Sequence, residues 1–106
     1  MVRTSSNGSS QSRVTFELPA VVQATTVHLC GDFNDWSESA TPLEARPDGR
    51  FAVTITLDHG RQYRFRYLVD GTRWENDWHA DDYVRNEFGG DDSVVDLTGR
   101  RAGNGR

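Results

Sequence analysis

The chain has 106 residues and a formal net charge of −4, from 16 acidic and 12 basic residues. A chain of this length forms one small domain, below the usual size of a catalytic barrel or a doubly wound fold. All the basic residues are arginines, and the segment 13–97 holds 8 of the 12 together with all 16 acids. Such an acidic segment would repel a phosphate backbone, so nucleic-acid binding is disfavoured.

Both ends of the chain are polar. Residues 1–12 include five serines, and residues 98–106 include three glycines and three arginines. Neither segment has enough apolar surface to offset the entropy lost on ordering. The composition therefore predicts disordered tails at 1–12 and 98–106 around one folded domain at 13–97.

The number of cysteines and the hydropathy of the chain indicate the cellular compartment. Cys30 is the single cysteine, which excludes an internal disulfide and a cysteine-rich zinc site. The N-terminal residues lack the apolar segment of a secretory signal, and no apolar run approaches the length of a membrane span. We therefore expect a cytoplasmic protein with no membrane partner.

Five runs of alternating apolar and polar residues dominate the chain. These runs are 14–18, 27–30, 51–57, 63–69 and 94–97. Alternation with a period of two is typical of half-buried antiparallel strands, and tight turns such as Asp70-Gly71 separate the runs. No ten-residue stretch has apolar residues at helical spacing. The pattern predicts an all-β protein built as an antiparallel β-sandwich.

Two loop-like stretches, 31–50 and 73–92, contain all three tryptophans. Aromatic residues in loops either cover the ends of the core or form an exposed binding platform. We expect Phe33 to plug the core, whereas Trp36 suits either role.

Arg66 and Leu68 face outward from the strand 63–69, and Trp74 follows the next turn. An outward guanidinium beside an outward indole suits a sugar, because the indole covers the apolar face of a pyranose ring while the guanidinium bonds to hydroxyls. Alternatively, Arg66 is a solvated charge paired with one of the many acids.

Three segments together resemble one known family. They are Gly31–Trp36 (GDFNDW), Tyr63–Gly71 (YRFRYLVDG) followed by Trp74, and Asn86–Val95 (NEFGGDDSVV). In order and spacing they resemble the glycogen-binding domain of the AMP-activated protein kinase β subunit, which is carbohydrate-binding module family 48. The resemblance covers essentially all of 13–97. It implies an immunoglobulin-like early set β-sandwich that binds α-1,4-linked glucans such as glycogen, starch and malto-oligosaccharides.

The resemblance also implies five carbohydrate-binding residues. The two platform tryptophans of the family fall on Trp36 and Trp74, and Arg66 takes the place of a lysine that bonds to sugar hydroxyls. Phe88 stands where the family has a leucine that inserts beside the curved glucan. Asp92 stands where it has an asparagine that bonds to hydroxyls.

The segment around Trp78 has other interpretations. Relatives often interrupt this segment with proline, and Trp78 either extends the platform or packs over the end of the sheet. Asp77, His79, Asp81 and Asp82 offer metal-ligand chemistry, but they lack EF-hand spacing and a second histidine, so we expect no metal site.

Catalysis is not expected from this sequence. Glycoside hydrolysis uses two carboxyl groups, but carboxyl pairs arise by chance among 16 acids, and a domain of this size offers no cleft-forming scaffold to tune one of them. The sequence predicts a non-catalytic module without a cofactor, whose partner is an α-glucan polysaccharide or a malto-oligosaccharide. Two alternatives remain: an early set domain that uses its aromatic face on a protein, and a non-catalytic partner of a separately encoded glucan-metabolising enzyme.

Overall fold

Strands account for most of the regular structure in the computed structural model, which describes residues 2–6 and 10–98. In chain order they are β1 (Val2–Ser6), β2 (Gln11–Leu18), β3 (Val27–Gly31), β4 (Glu44–Ala45), β5 (Phe51–Asp58), β6 (Gln62–Val69), β7 (Arg73–Glu75), β8 (Asp82–Arg85) and β9 (Asp91–Asp96). Within the described residues the helical segments are two 3₁₀ turns, at Ala20–Val22 and Asp32–Asn34. The predicted scarcity of helix is confirmed.

The strands form two antiparallel sheets. The first sheet has the order β1-β2-β5-β4, and the second has the order β3-β6-β9-β8 with β7 also paired to β6. β6 is therefore the central strand of the second sheet, and it pairs with β3, β7 and β9. The two sheets enclose one apolar core, which confirms the predicted all-β, immunoglobulin-like antiparallel sandwich.

The core is built from the inward side chains of both sheets. Phe16 of β2 meets Phe65 of β6 edge to face at 4.9 Å between ring centroids, and Phe65 meets Tyr67 at 5.8 Å. Phe33 packs against this cluster at 5.7 Å from Phe16 and 6.2 Å from Tyr63, as expected for a core plug. Because alternate residues of β6 point inward, the residues between them are left on the outer face of the second sheet.

The N-terminal segment differs from the composition-based expectation. Val2–Ser6 and Gln11–Ser12, assigned above to a disordered tail, lie in β1 and at the start of β2. The segment is ordered because β1 is an edge strand held by backbone hydrogen bonds, which polar residues supply as well as apolar ones. Val2 also packs against the core, and Arg3 lies 3.7 Å from Glu17. Residues 1, 7–9 and 99–106 of the two predicted tails lie outside the described residues.

The two loop-like stretches contain three short strands that alternation does not reveal. β4, β7 and β8 have two to four residues each and form by pairing with β5, β6 and β9. Leu68 faces the outer side of β6, as predicted, yet it is only 3% exposed. Its neighbours in register on the same face are His28 and Trp74. Among the described residues, no helix has the length and hydropathy to cross a membrane.

Candidate functional site

A cleft of about 350 Å³ opens on the outer face of the second sheet. Its floor comes from the outward residues of β6 and β9, and its walls come from the loops at 32–36 and 86–88. The lining residues are Asp32, Trp36, Arg64, Arg66, Asn86, Glu87, Phe88 and Asp92. The cleft therefore brings together four of the five residues expected to bind carbohydrate, which are Trp36, Arg66, Phe88 and Asp92.

Trp36 forms one wall of the cleft and is half-buried. Its backbone has the left-handed conformation, with φ of 57°, which is unusual for a bulky residue and is maintained here by local bonds. The Trp36 backbone N–H donates to the carbonyl oxygen of Gly31 at 2.9 Å, and its indole Nε1–H donates to Oδ1 of Asp32 at 3.0 Å. The other Asp32 oxygen accepts the backbone N–H of Arg64 at 2.8 Å. One carboxylate thus ties the indole to the central strand.

Two small or polar residues shape the turn before Trp36. Asn34 donates to the Leu29 carbonyl and to the Thr41 hydroxyl, both at 2.9 Å, and its side-chain oxygen accepts the Gly31 N–H. Asn34 therefore holds the turn together. Position 31 has room only for glycine, because a Cβ there would lie 2.5 Å from the Arg64 carbonyl oxygen. The turn is therefore packed directly onto β6.

Arg66 lies at the centre of the site. Its Nε is 3.2 Å from Oδ1 of Asp92, although the N–H is not aligned for a hydrogen bond, so the contact is an ion pair. Asp92 is buried, with its side chain 7% exposed, and its second oxygen lies 3.8 Å from Arg64. Asn86 also donates to Oδ1 of Asp92 at 3.1 Å. Two guanidinium groups and one amide therefore hold this carboxylate at the floor of the cleft.

Trp74 lies beside the cleft rather than in its lining. It pairs with Leu68 across β6 and β7 and is 38% exposed. The guanidinium carbon of Arg66 lies 5.2 Å from the centroid of the Trp74 ring, within cation–π range. Arg66 therefore links the cleft that contains Trp36 to the exposed face of Trp74.

Phe88 occupies the tip of a loop closed by Asn86. The side-chain oxygen of Asn86 accepts the backbone N–H of Phe88 at 2.8 Å and of Gly90 at 3.1 Å. A third bond joins the backbone N–H of Asn86 to the Gly90 carbonyl at 2.8 Å, and Gly89 adopts a φ of 90° that suits glycine. This loop leaves the Phe88 side chain 84% exposed at the rim of the cleft.

Four lining residues were not among the residues expected to bind carbohydrate. They are Asp32, Arg64, Asn86 and Glu87. The sequence offers a signal for Arg64, because the alternation of β6 places it on the same outward face as Arg66. Asp32 and Asn86 act through bonds that depend on how the loops are folded onto the sheet.

The segment around Trp78 is built on a buried carboxylate. Asp77 is 1% exposed and accepts the Tyr67 hydroxyl at 2.7 Å, while its backbone N–H donates to Ser93 at 2.9 Å. Burial, followed by the nearby Asp77 charge, raises the pKa of Tyr67 well above its usual range. Trp78 itself does not line the cleft described above. No cluster of three or more metal-ligating side chains occurs among residues 2–6 and 10–98.

The thiol of Cys30 lies in the core and is absent from the lining of the cleft. Cys30 is buried on β3, and burial followed by the nearby Glu38 charge raises the pKa of its thiol to about 11. Because the thiolate is the reactive form, the neutral thiol behaves as a small apolar core group.

A sequence model described as the glycogen recognition site of AMP-activated protein kinase matches residues 14–98. The match includes every residue that lines the cleft and confirms the resemblance carried by the three segments identified above. No curated protein matches the chain.

Proposed function

The chain belongs to the family of the glycogen recognition site of AMP-activated protein kinase, and on this premise we propose that it is a non-catalytic module that binds α-1,4-linked glucans. The observation that supports the proposal most strongly is the placement of Arg66, which lines a cleft with the Trp36 indole and stacks on a second indole, Trp74. Glycogen, starch and malto-oligosaccharides present the ring faces and hydroxyl groups that such a site would contact.

Each group at the site has a distinct role in the proposal. The Trp36 and Trp74 rings would cover the apolar faces of glucose units, and the exposed Phe88 ring would contact the side of the curved chain. Arg66 would donate to sugar hydroxyls through nitrogens other than the Nε that faces Asp92. Since Asp92 already balances the guanidinium charge, an uncharged ligand can enter without leaving a buried charge uncompensated.

The affinity of a single contact should be low. The cleft is open and shallow, and sugar hydroxyls exchange bonds with water for bonds with protein at little net gain. We expect dissociation constants on the order of micromolar to millimolar for short oligosaccharides. On a polymer, many sites within reach of one module would raise the effective affinity.

The carboxylates of the cleft support a binding role. Asp32 accepts two N–H groups, and Asp92 is paired with two guanidinium groups. Both carboxylates are therefore engaged in holding side chains and backbone of the cleft in place, which is a structural role that suits a binding module.

A second candidate is a protein-interaction domain, including a non-catalytic partner of a separate glucan-metabolising enzyme. The specific observation in its favour is Phe88, whose 84% exposure exceeds that of the two tryptophans at the site. The two functions differ in their requirement for Arg66. A sugar needs the guanidinium as a donor, whereas an apolar protein contact would depend mainly on Phe88.

Co-sedimentation with glycogen, with microcrystalline cellulose as the β-linked control, tests the proposal. We expect the protein to sediment with glycogen, to be released by malto-oligosaccharide, and to remain in solution with cellulose. Absence from the glycogen pellet, with the protein folded, would contradict the proposed function. Equal retention on both polymers would contradict the α-linkage preference.

A further inference from the structure

A second, smaller cleft lies beside Trp78. It has a volume of about 140 Å³ and is lined mainly by apolar surface. The lining residues are Glu17, Pro19, Arg50, Trp78 and His79. The Trp78 side chain is 55% exposed, which is more than Trp74 at the first site.

The exposed indole is carried on a firmly held segment. Asp77, the residue before Trp78, is anchored by the Tyr67 hydroxyl and by Ser93. The residue after it, His79, donates its backbone N–H to Oδ1 of Asp77 at 2.8 Å. Because this buried network already holds the segment in place, little conformational entropy is lost when a small ligand contacts the Trp78 indole. The low entropy cost favours binding.

The polar groups of this cleft balance one another. Glu17 has an 8% exposed side chain and lies 3.4 Å from Arg50 and 3.7 Å from Arg3. Arg50 in turn contacts Asp48 at 2.8 Å, and its own side chain stays 46% exposed. Glu17 and Arg50, the acid and the arginine of the lining, therefore balance each other, and Arg3 and Asp48 outside the lining add one charge of each sign. The site therefore suits an uncharged ligand with hydroxyl groups better than an anion or a cation.

The two clefts share no lining residue, and the Trp78 cleft combines the loop between β7 and β8 with residues of the first sheet and its turns. Glu17 points outward from the first sheet, because Phe16 and Leu18 on either side of it belong to the core. Arg66 points outward from the second sheet, between the core residues Phe65 and Tyr67. Because packed sheets are about 10 Å apart, Glu17 and Arg66 lie on opposite sides of the sandwich, and one sugar ring cannot contact both residues.

We propose that the Trp78 cleft is a second α-glucan-binding site, so that the module is bivalent. The indole would cover one face of a glucose unit, and Arg50 and His79 would bond to its hydroxyls. The volume suits a single ring, because it is well below the roughly 300–1,000 Å³ of sites for larger ligands. This inference rests on the proposed function of the first cleft. Two separate sites would let one module bind two chains or two branches of a polymer.

The indole N–H resonances of the three tryptophans test this inference directly. We would titrate isotopically labelled protein with maltoheptaose, using cellohexaose as the control, and assign each signal by single substitution. The expected result is a saturable shift of the Trp78 signal with its own dissociation constant, alongside shifts at Trp36 and Trp74. An unmoved Trp78 signal, with the other two shifted, would overturn the second site and leave the proposed function intact. No shift at any tryptophan would contradict both.

A variant that lacks both tryptophans of the first site shows whether the Trp78 signal reports binding at its own cleft or binding at the first site. In Trp36→Ala with Trp74→Ala, the Trp78 signal should still shift with maltoheptaose, and its loss would overturn independent binding. Adding Trp78→Ala should abolish the residual retention on glycogen. Adding Val21→Ala instead, at an exposed apolar residue outside both clefts, should not. If the combined variant does not fold, the wild-type titration still decides the question.

Discussion

The guanidinium group of Arg66 lies over the ring of Trp74, with 5.2 Å between its central carbon and the ring centroid. Such cation–π contacts contribute about 0.5–2 kcal/mol, depending on how dry the site is. The Asp92 carboxylate holds the opposite side of the same guanidinium. Arg66 is therefore oriented before any ligand arrives, which reduces the entropy cost of binding.

Replacing Arg66 should weaken binding without removing the platform. For Arg66→Ala we expect malto-oligosaccharide affinity to fall by about 1.5–3 kcal/mol, the range for a charged hydrogen bond, as measured by isothermal titration calorimetry. The same variant should lose stability, because Asp92 is left buried with a weaker partner. Arg66→Lys keeps the charge but not the planar fork, so it should bind more weakly than wild type at nearly unchanged stability. Unchanged affinity in both variants would contradict the role of Arg66.

Trp74 should matter more for binding than for folding. Its side chain is 38% exposed, so Trp74→Ala should destabilise the fold by less than the roughly 3–5 kcal/mol expected for a buried tryptophan. Retention on glycogen should nevertheless fall sharply, to the level that the Trp78 cleft alone supports. Thermal unfolding and glycogen co-sedimentation of the same preparation measure the two effects. A large loss of stability with retention intact would identify Trp74 as a core residue instead.

Asp32 is expected to act as a positioning residue for Trp36. Asp32→Ala removes both of its hydrogen bonds, to the Trp36 indole and to the Arg64 backbone. Binding should weaken by about 1 kcal/mol, the scale of one hydrogen bond, and the Trp36 indole N–H resonance should move even without sugar. Asp35→Asn is the matched control, since asparagine tolerates the left-handed backbone of that position. Equal behaviour of the two variants would contradict the positioning role.

Asp70 should make the free energy of unfolding depend on pH in the acid range. Backbone N–H groups of Thr26 and then Thr25 donate to its carboxylate and lower its pKa. A lowered folded-state pKa stabilises the fold above the pKa of the unfolded state, near 4, and this contribution is lost as pH falls through the folded-state value. Asp70→Asn keeps the left-handed turn and removes the charge, so it should lose less stability than wild type between pH 7 and pH 3 in urea unfolding. An identical pH dependence would assign the acid sensitivity to other groups.

The parts of the fold that were predictable have a strong alternating pattern. β5 and β6 alternate over most of their length, because one face of each is packed on the core, and their bounds are close to the predicted 51–57 and 63–69. β1 and β8 are formed largely by polar residues whose pairing depends on a neighbouring strand. No local pattern can specify that pairing.

The candidate site was predictable to a similar extent. The motifs located Trp36, Arg66 and Phe88, which the structure places around one cleft. One of the two side-chain bonds of Asp32 joins residues 32 apart in the chain, so no local pattern could show that this carboxylate ties Trp36 to β6. Trp78 corresponds to no binding residue of the family and lies in no alternating strand. Its cleft is completed by Glu17, Pro19 and Arg50, which are distant from it in the chain.

The most direct test of the account is a titration with β-cyclodextrin followed by tryptophan fluorescence, with cellohexaose as the control. β-Cyclodextrin presents the curved α-1,4-linked surface without a reducing end, and the tryptophans at the site report its binding. The account predicts a saturable change with β-cyclodextrin and none with cellohexaose. No change with millimolar β-cyclodextrin, in a protein shown to be folded, would contradict α-glucan binding and favour a protein partner for the aromatic face.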